Sequence, residues 1–247
     1  MKVITAVLTL TAALALSSCD KPSNSNTSSP PPATTTSEPP PTATTPATTT
    51  PAASSTFEAP VGYTLTPFLS ETPVRNFKEA ESVLQDNTDY AVVMETDAGR
   101  MVLDLYEDDT PTTVNSFVWL ARHRYYDGIA FHRVVEGFVV QGGDPNTVSG
   151  DPGTWGTGGA GYEFGLEIRQ KYKYDDKGVL GMARTQDPDS NGSQFYITLA
   201  PTPNLDGQYT IFGKVIEGLD VLDAITRGEP PATPTRMTRV SIVEKAK

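Results

Sequence analysis

The chain has 247 residues, 37% of them hydrophobic, which suffices for one sizeable domain together with a non-globular part. Its formal net charge of -11 speaks against an electropositive nucleic-acid or anionic-lipid surface, and no Lys/Arg cluster stands out. The single cysteine, Cys19, excludes an intrachain disulfide and a cysteine-built zinc site, and the 2 histidines, His123 and His132, are too few for most metal sites. A protein without cofactor or metal is expected.

Residues 1–18 read as an export signal: Lys2, an apolar run from Val3 to Leu16, then small residues up to Cys19. The run is shorter than the roughly 20 residues of a membrane-spanning helix, so a cleaved signal fits better than a span. Leu16-Ser-Ser-Cys19 resembles a bacterial lipobox. That resemblance implies lipidation of Cys19 and a domain exported to the outer side of a bacterial membrane, in the periplasm or on the cell surface. Residues 19–56 are almost wholly Ser, Thr, Pro, Ala and Asn, without apolar periodicity. Such a segment cannot bury enough apolar surface to offset its ordering entropy, and an extended, disordered tether is expected. Residues 57–88 read as a weakly ordered lead-in, where Phe77, Ala80 and Leu84 predict a short helix within residues 76–85.

Residues 89–247 carry the signals of a globular domain. Ala91–Thr96 and Met101–Tyr106 are β-prone runs joined by Asp97-Ala-Gly99, which predicts a hairpin. Thr110-Pro111 reads as an N-cap and a first-turn proline. The helix that follows places Val114, Phe117, Val118 and Ala121 on one face and closes before Asp127-Gly128. Then comes the most particular stretch, Phe131-His-Arg-Val-Val-Glu-Gly-Phe-Val-Val-Gln-Gly-Gly-Asp-Pro145. Two β-prone runs flank Glu136-Gly137, a second hairpin. Period-two alternation puts Phe131 and Arg133 on one face, with Phe138 close across the turn and Gln141 ending the second strand. An arginine, a phenylalanine and a glutamine would then converge on one patch.

A glycine-rich loop runs to about Gly161, and further strands are expected at Gly178–Ala183, Gln194–Leu199, Thr210–Val215 and Met237–Val243. A second helix near Leu219–Ile225 would bury Leu219, Leu222 and Ile225 before Gly228 and Pro230 stop it. Many short strands with a pair of helices suggest a mainly β fold, a closed antiparallel barrel with plugged ends. His132 is turned away from Arg133 by the alternation and reads as a packed or hydrogen-bonded structural histidine. The run Asp187-Pro-Asp-Ser-Asn-Gly192 imitates the start of a calcium loop, but the twelfth position is Thr198 rather than glutamate, so it reads as a turn-rich loop.

The stretch from Phe131 to Pro145 resembles the signature of the cyclophilins, a class of peptidyl-prolyl cis-trans isomerases. Gly178-Val-Leu-Gly-Met-Ala-Arg-Thr185, Asn191-Gly-Ser-Gln-Phe-Tyr-Ile197, Asn204-Leu-Asp-Gly207 and Ile211-Phe-Gly-Lys-Val215 carry the same resemblance, over roughly residues 89–246. The Met-Ala-Arg-Thr form looks more like bacterial members. The resemblance implies an eight-stranded antiparallel β-barrel capped by two helices, with the site on its outer surface. It also implies proline-containing segments of exported or envelope proteins as partners.

Carried over, Arg133 matches the family's catalytic arginine and Gln141 the glutamine beside it. Phe138, Tyr196 and Leu205 match the walls of the proline pocket, and Val139 stands where many members have methionine. Ala183 and Arg184 match the pair whose backbone grips the peptide, and Gln194 matches a further polar lining residue. Tyr209 stands where eukaryotic members have histidine. Asn204 stands where cyclosporin-sensitive members have tryptophan, which implies weak or no cyclosporin binding. The alternative on the same scaffold is a proline-peptide binding module or chaperone with little turnover; intact Arg133, Phe138 and Gln141 favour the isomerase.

Overall fold

In the computed structural model, which describes residues 57–247, nine strands form one antiparallel sheet. They are β1 (Thr64–Leu65), β2 (Thr88–Thr96), β3 (Gly99–Leu105), β4 (Arg133–Val135), β5 (Val139–Gly142), β6 (Val179–Met182), β7 (Phe195–Thr198), β8 (Ile211–Glu217) and β9 (Met237–Ala246). Two helices accompany them, α1 (Pro111–Arg122) and α2 (Val221–Ala224). The export signal, Cys19 and the Ser/Thr/Pro tether lie outside the described residues.

The sheet order is β1-β9-β2-β3-β8-β6-β7-β5-β4. Strands β2 to β9 are the expected eight, and β1 is a two-residue addition from the lead-in. Register shifts at Glu95/Thr96, Val102/Leu103 and Leu180/Gly181 curl the sheet. The expected closure is not a continuous strand pair. Between β4 and β9 the gap is spanned by the isolated bridges Ala130–Arg236 and Val134–Gly228, so the fold is barrel-like with an open ladder. Inside it, Phe117 stacks on Tyr126 and meets Phe195 and Phe212 at centroid distances of 5.6 Å.

Helix α1 buries Val114, Phe117, Val118 and Ala121 as its periodicity requires. Thr110, however, does not cap it: its hydroxyl donates back to Tyr106 O at 3.1 Å. The Glu167 carboxylate takes that place, accepting from Thr113 N and Thr113 Oγ1 at 2.7 Å each and from Thr112 N at 3.2 Å. Helix α2 is shorter than expected, and Leu219 lies outside it and exposed. Arg227 Nη1 ends it by donating to the carbonyls of Leu222 and Ile225. Leu222 and Ile225 are buried as expected.

The short helix predicted within residues 76–85 is absent. Three of its backbone donors go to acceptors outside the segment: Phe77 N to Ala160 O, Val83 N to Asn115 Oδ1 and Gln85 N to the Tyr90 hydroxyl, each at 2.8 Å. The apolar spacing reported burial correctly, since Phe77, Ala80 and Leu84 pack against the core. An irregular chain presents them instead of a helix.

Candidate active site

The hairpin β4–β5 pairs Arg133 with Gln141, Val134 with Val140 and Val135 with Val139. Val134 and Val140 turn into the core, so Arg133 and Gln141 share the opposite, outward face. Phe131 does not join them. Strand β4 begins only at Arg133, the alternation does not reach back, and Phe131 is buried in the inner core.

Beside the hairpin, β7 brings Tyr196 opposite Gln141, and β6 brings Gly181 opposite Tyr196. A Cβ at Gly181 would stand 2.6 Å from Tyr196 Cζ, so glycine is what lets the tyrosine ring lie against the sheet. Val139, Tyr196 and Ile211 form a second, outward apolar cluster on which Phe138, Ala183, Leu205 and Tyr209 pack. Tyr209 meets Tyr196 edge-on at 6.0 Å. The Tyr196 hydroxyl donates to Tyr174 at 2.8 Å, and burial holds its pKa far above the usual tyrosine range, so the pocket wall stays uncharged.

Arg133 stands at the rim. Its Nε donates to Glu229 Oε2 at 2.7 Å, and Cζ lies 5.7 Å from the centre of the Phe138 ring. Gln141 faces Arg133 in register, but its amide donates to Gln194 Oε1 at 3.1 Å. Gln194 in turn donates to Gly156 O and Gly158 O, each at 2.9 Å, which ties the glycine-rich loop to the site. A groove of about 800 Å³ runs from Gln141 and Gln194 between that loop and Ala183-Arg184-Thr185. The Arg184 guanidinium donates to Gln208 O at 2.9 Å and lies over the Tyr209 ring at 4.7 Å, so its side chain fastens two loops. Asn204 is exposed and outside the apolar cluster. His132 is buried with neither ring nitrogen paired among the described residues, and burial lowers its pKa. It is a packed histidine rather than a hydrogen-bonded one.

Sequence reasoning named Arg133, Phe138 and Gln141 from strand alternation and Val139, Ala183, Gln194, Tyr196, Leu205 and Tyr209 from the resemblance; in the structure these side chains lie in one surface region. It missed Glu229 and Tyr174. Each reaches the site through a contact far away in sequence, with no local pattern to announce it.

The barrel-like sheet presents an outward apolar pocket with an arginine at its rim, and comparison with known proteins gives the class to which this arrangement belongs. The family model described as cyclophilin type peptidyl-prolyl cis-trans isomerase/CLD matches residues 91–245. The Arabidopsis thaliana peptidyl-prolyl cis-trans isomerase CYP18-1 is 41% identical over 158 residues, 62% of this chain and 95% of that protein. The human peptidyl-prolyl cis-trans isomerase-like 1 is 41% identical over 156 residues, 62% of this chain and 89% of that protein. Among solved structures, a Cryptosporidium parvum cyclophilin type isomerase superposes with a TM-score of 0.57 at 32% identity, over 62% of this chain and 97% of that one. The same parasite protein has been crystallised in the presence of the dipeptide Ala-Pro. This chain belongs to the cyclophilin-type peptidyl-prolyl cis-trans isomerase family and is an enzyme of that type.

Proposed function

We propose that Arg133 drives the isomerisation by donating a hydrogen bond to the proline nitrogen of the twisted amide. Rotation about an X-Pro bond breaks no covalent bond, so the site need only favour the twisted state over both planar ones. Uncatalysed exchange takes tens to hundreds of seconds. A turnover on the order of 10³ per second from that start is roughly a 10⁵-fold acceleration, or about 7 kcal/mol. Twisting removes amide resonance and makes the nitrogen a hydrogen-bond acceptor, which the planar amide barely is. A donor at the rim therefore acts on the twisted state selectively. Phe138, Tyr196 and Leu205 would hold the ring while the preceding carbonyl swings, and apolar walls strengthen the arginine's field by excluding water.

The observation that carries this reading is the position of the Arg133 guanidinium, at the mouth of the apolar cluster and over the Phe138 ring. Exchange of an Ala-Pro peptide by the full chain, beside an Arg133→Ala variant, tests it. The variant is expected to lose about 10²–10³ in kcat while keeping its fold. A variant that retains the parental rate overturns the assignment.

The clients of this activity are, in this reading, exported proteins as they fold, reached from a lipid anchor at Cys19. The lipobox-like Leu16-Ser-Ser-Cys19 and the tether composition support it. In a bacterial host supplied with labelled palmitate, the chain should take up label and sediment with membranes. Cys19→Ser should do neither; equal labelling of both removes the anchor from the proposal.

A further inference from the structure

The segment after α2 returns to the hairpin and lies along the free edge of β4. Gly228 exchanges both backbone hydrogen bonds with Val134, at 2.8 and 2.9 Å. Ion pairs flank that exchange on either side: Arg227 Nε with Glu136 Oε2 at 2.6 Å, and Arg133 Nε with Glu229 Oε2 at 2.7 Å. Arg227 also holds the last carbonyls of α2. Residues 227–229 thus form a strap along the hairpin, and Glu229 meets the arginine one residue beyond the Gly228–Val134 backbone pair.

Glu229 takes only the Nε edge of the guanidinium. Among the described residues no other group accepts from Arg133, so its Nη donors are left unengaged beside the pocket. We propose that Glu229 is a positioning residue, which fixes the rotation of the Arg133 guanidinium so that its Nη edge faces the bound X-Pro bond. This rests on the reading of Arg133 as the donor. Arginine is rotamer-rich, and a guanidinium already held in plane need not be ordered at each turnover.

A carboxylate beside the guanidinium also has the opposite effect, since it weakens the positive field at the proline nitrogen. Solvent decides between them. The side chains of Arg133 and Glu229 are 36% and 52% exposed, so the charge effect is screened while the hydrogen-bond geometry persists. Positioning should win.

The test uses the full chain with Glu229→Ala, Glu229→Gln, Arg133→Ala and the double variant Arg133→Ala/Glu229→Ala. Exchange of an Ala-Pro peptide is resolved into kcat and KM, with thermal unfolding as the check on folding. Glu229→Ala should lower kcat about tenfold, with KM changed by less than about twofold and an unchanged unfolding midpoint. Glu229→Gln keeps an acceptor oxygen and should retain about half the parental kcat or more. In the Arg133→Ala background the second substitution should have no further effect.

A Glu229→Ala variant that matches or exceeds the parental rate overturns the positioning role, as does a further loss in the Arg133→Ala background. If Arg133→Ala is slow while Glu229→Ala is parental, only the role of Glu229 falls. If Arg133→Ala itself runs at the parental rate, the donor reading falls and the positioning role with it.

Discussion

Tyr196 answers two demands with one side chain. Its ring walls the outward pocket, while its hydroxyl sits among apolar neighbours and donates to Tyr174, whose own hydroxyl donates to Thr210 O at 3.4 Å. A buried hydroxyl without a partner is costly, so the relay is what makes a tyrosine tolerable at a wall that phenylalanine would fill without one. The wall residues were legible in the sequence because they sit inside short motifs whose order is itself particular. The residues that hold them were not. Glu229 is 96 positions from Arg133, and Tyr174 is 22 from Tyr196. Neither separation leaves a periodic trace, and nothing in Gly228-Glu-Pro-Pro231 beyond a helix stop could be read from composition. The side chain of Arg184 makes the same point: the motif marks its backbone, while the ties to Gln208 and Tyr209 emerge only from the folded loops.

Among the elements, the two hairpins and α1 were legible to within a few residues, since alternation and a 3.6-residue stripe are set by burial on one face. The cap of α1 was not. Thr110 has the right chemistry at the right place, yet the first-turn donors are met by Glu167, brought 54 positions by the loop before β6. A carboxylate there satisfies donors that the helix itself cannot and complements the positive end of its dipole. Glu167→Ala should therefore cost about 1–2 kcal/mol of folding stability, a cap's worth. It would be read as a lower urea midpoint at an unchanged slope. An unchanged midpoint would mean that water serves those donors equally well. Glu167 N also donates to Thr210 Oγ1 at 2.9 Å, just before β8, so α1 and the pocket's far wall share one brace. The predicted helix over residues 76–85 fails for the complementary reason. Its apolar spacing is real, but three of its backbone donors have tertiary acceptors that a helix would forgo.

At the scale of the whole molecule, the domain needs a cover over the outer face of β2, β3 and β9. Ala91, Val93, Val102 and Val243 face outward from β2, β3 and β9, yet all are fully buried. What buries them is the lead-in, through Phe57, Ala59 and Tyr63, with β1 paired to β9. Arg239 lies between the rings of Phe57 and Phe68, at 5.1 and 5.4 Å from their centres, and adds cation–π attraction to the apolar contact. This cover lies outside residues 91–245, the span the family model matches, so it is an addition to the shared domain. Removing residues 57–66 and joining residue 56 directly to Pro67 would expose four apolar side chains. At about 25 cal/mol per Å² of apolar surface, the loss is about 2–4 kcal/mol. In a domain of this size that lowers the unfolding midpoint by roughly 5–15 °C. The retained part, from Pro67 onward, still includes Phe77, which donates to Ala160 O and props the glycine-rich loop. Isomerase turnover at 25 °C should therefore stay within about twofold of the parent, because the pocket's apolar cluster shares no residue with the one that the deleted segment covers. Parallel melting and Ala-Pro exchange measurements separate the outcomes. A midpoint that does not move would show that the outer face of β2, β3 and β9 tolerates water. A lost rate with an unmoved midpoint would place the lead-in in the site rather than behind it.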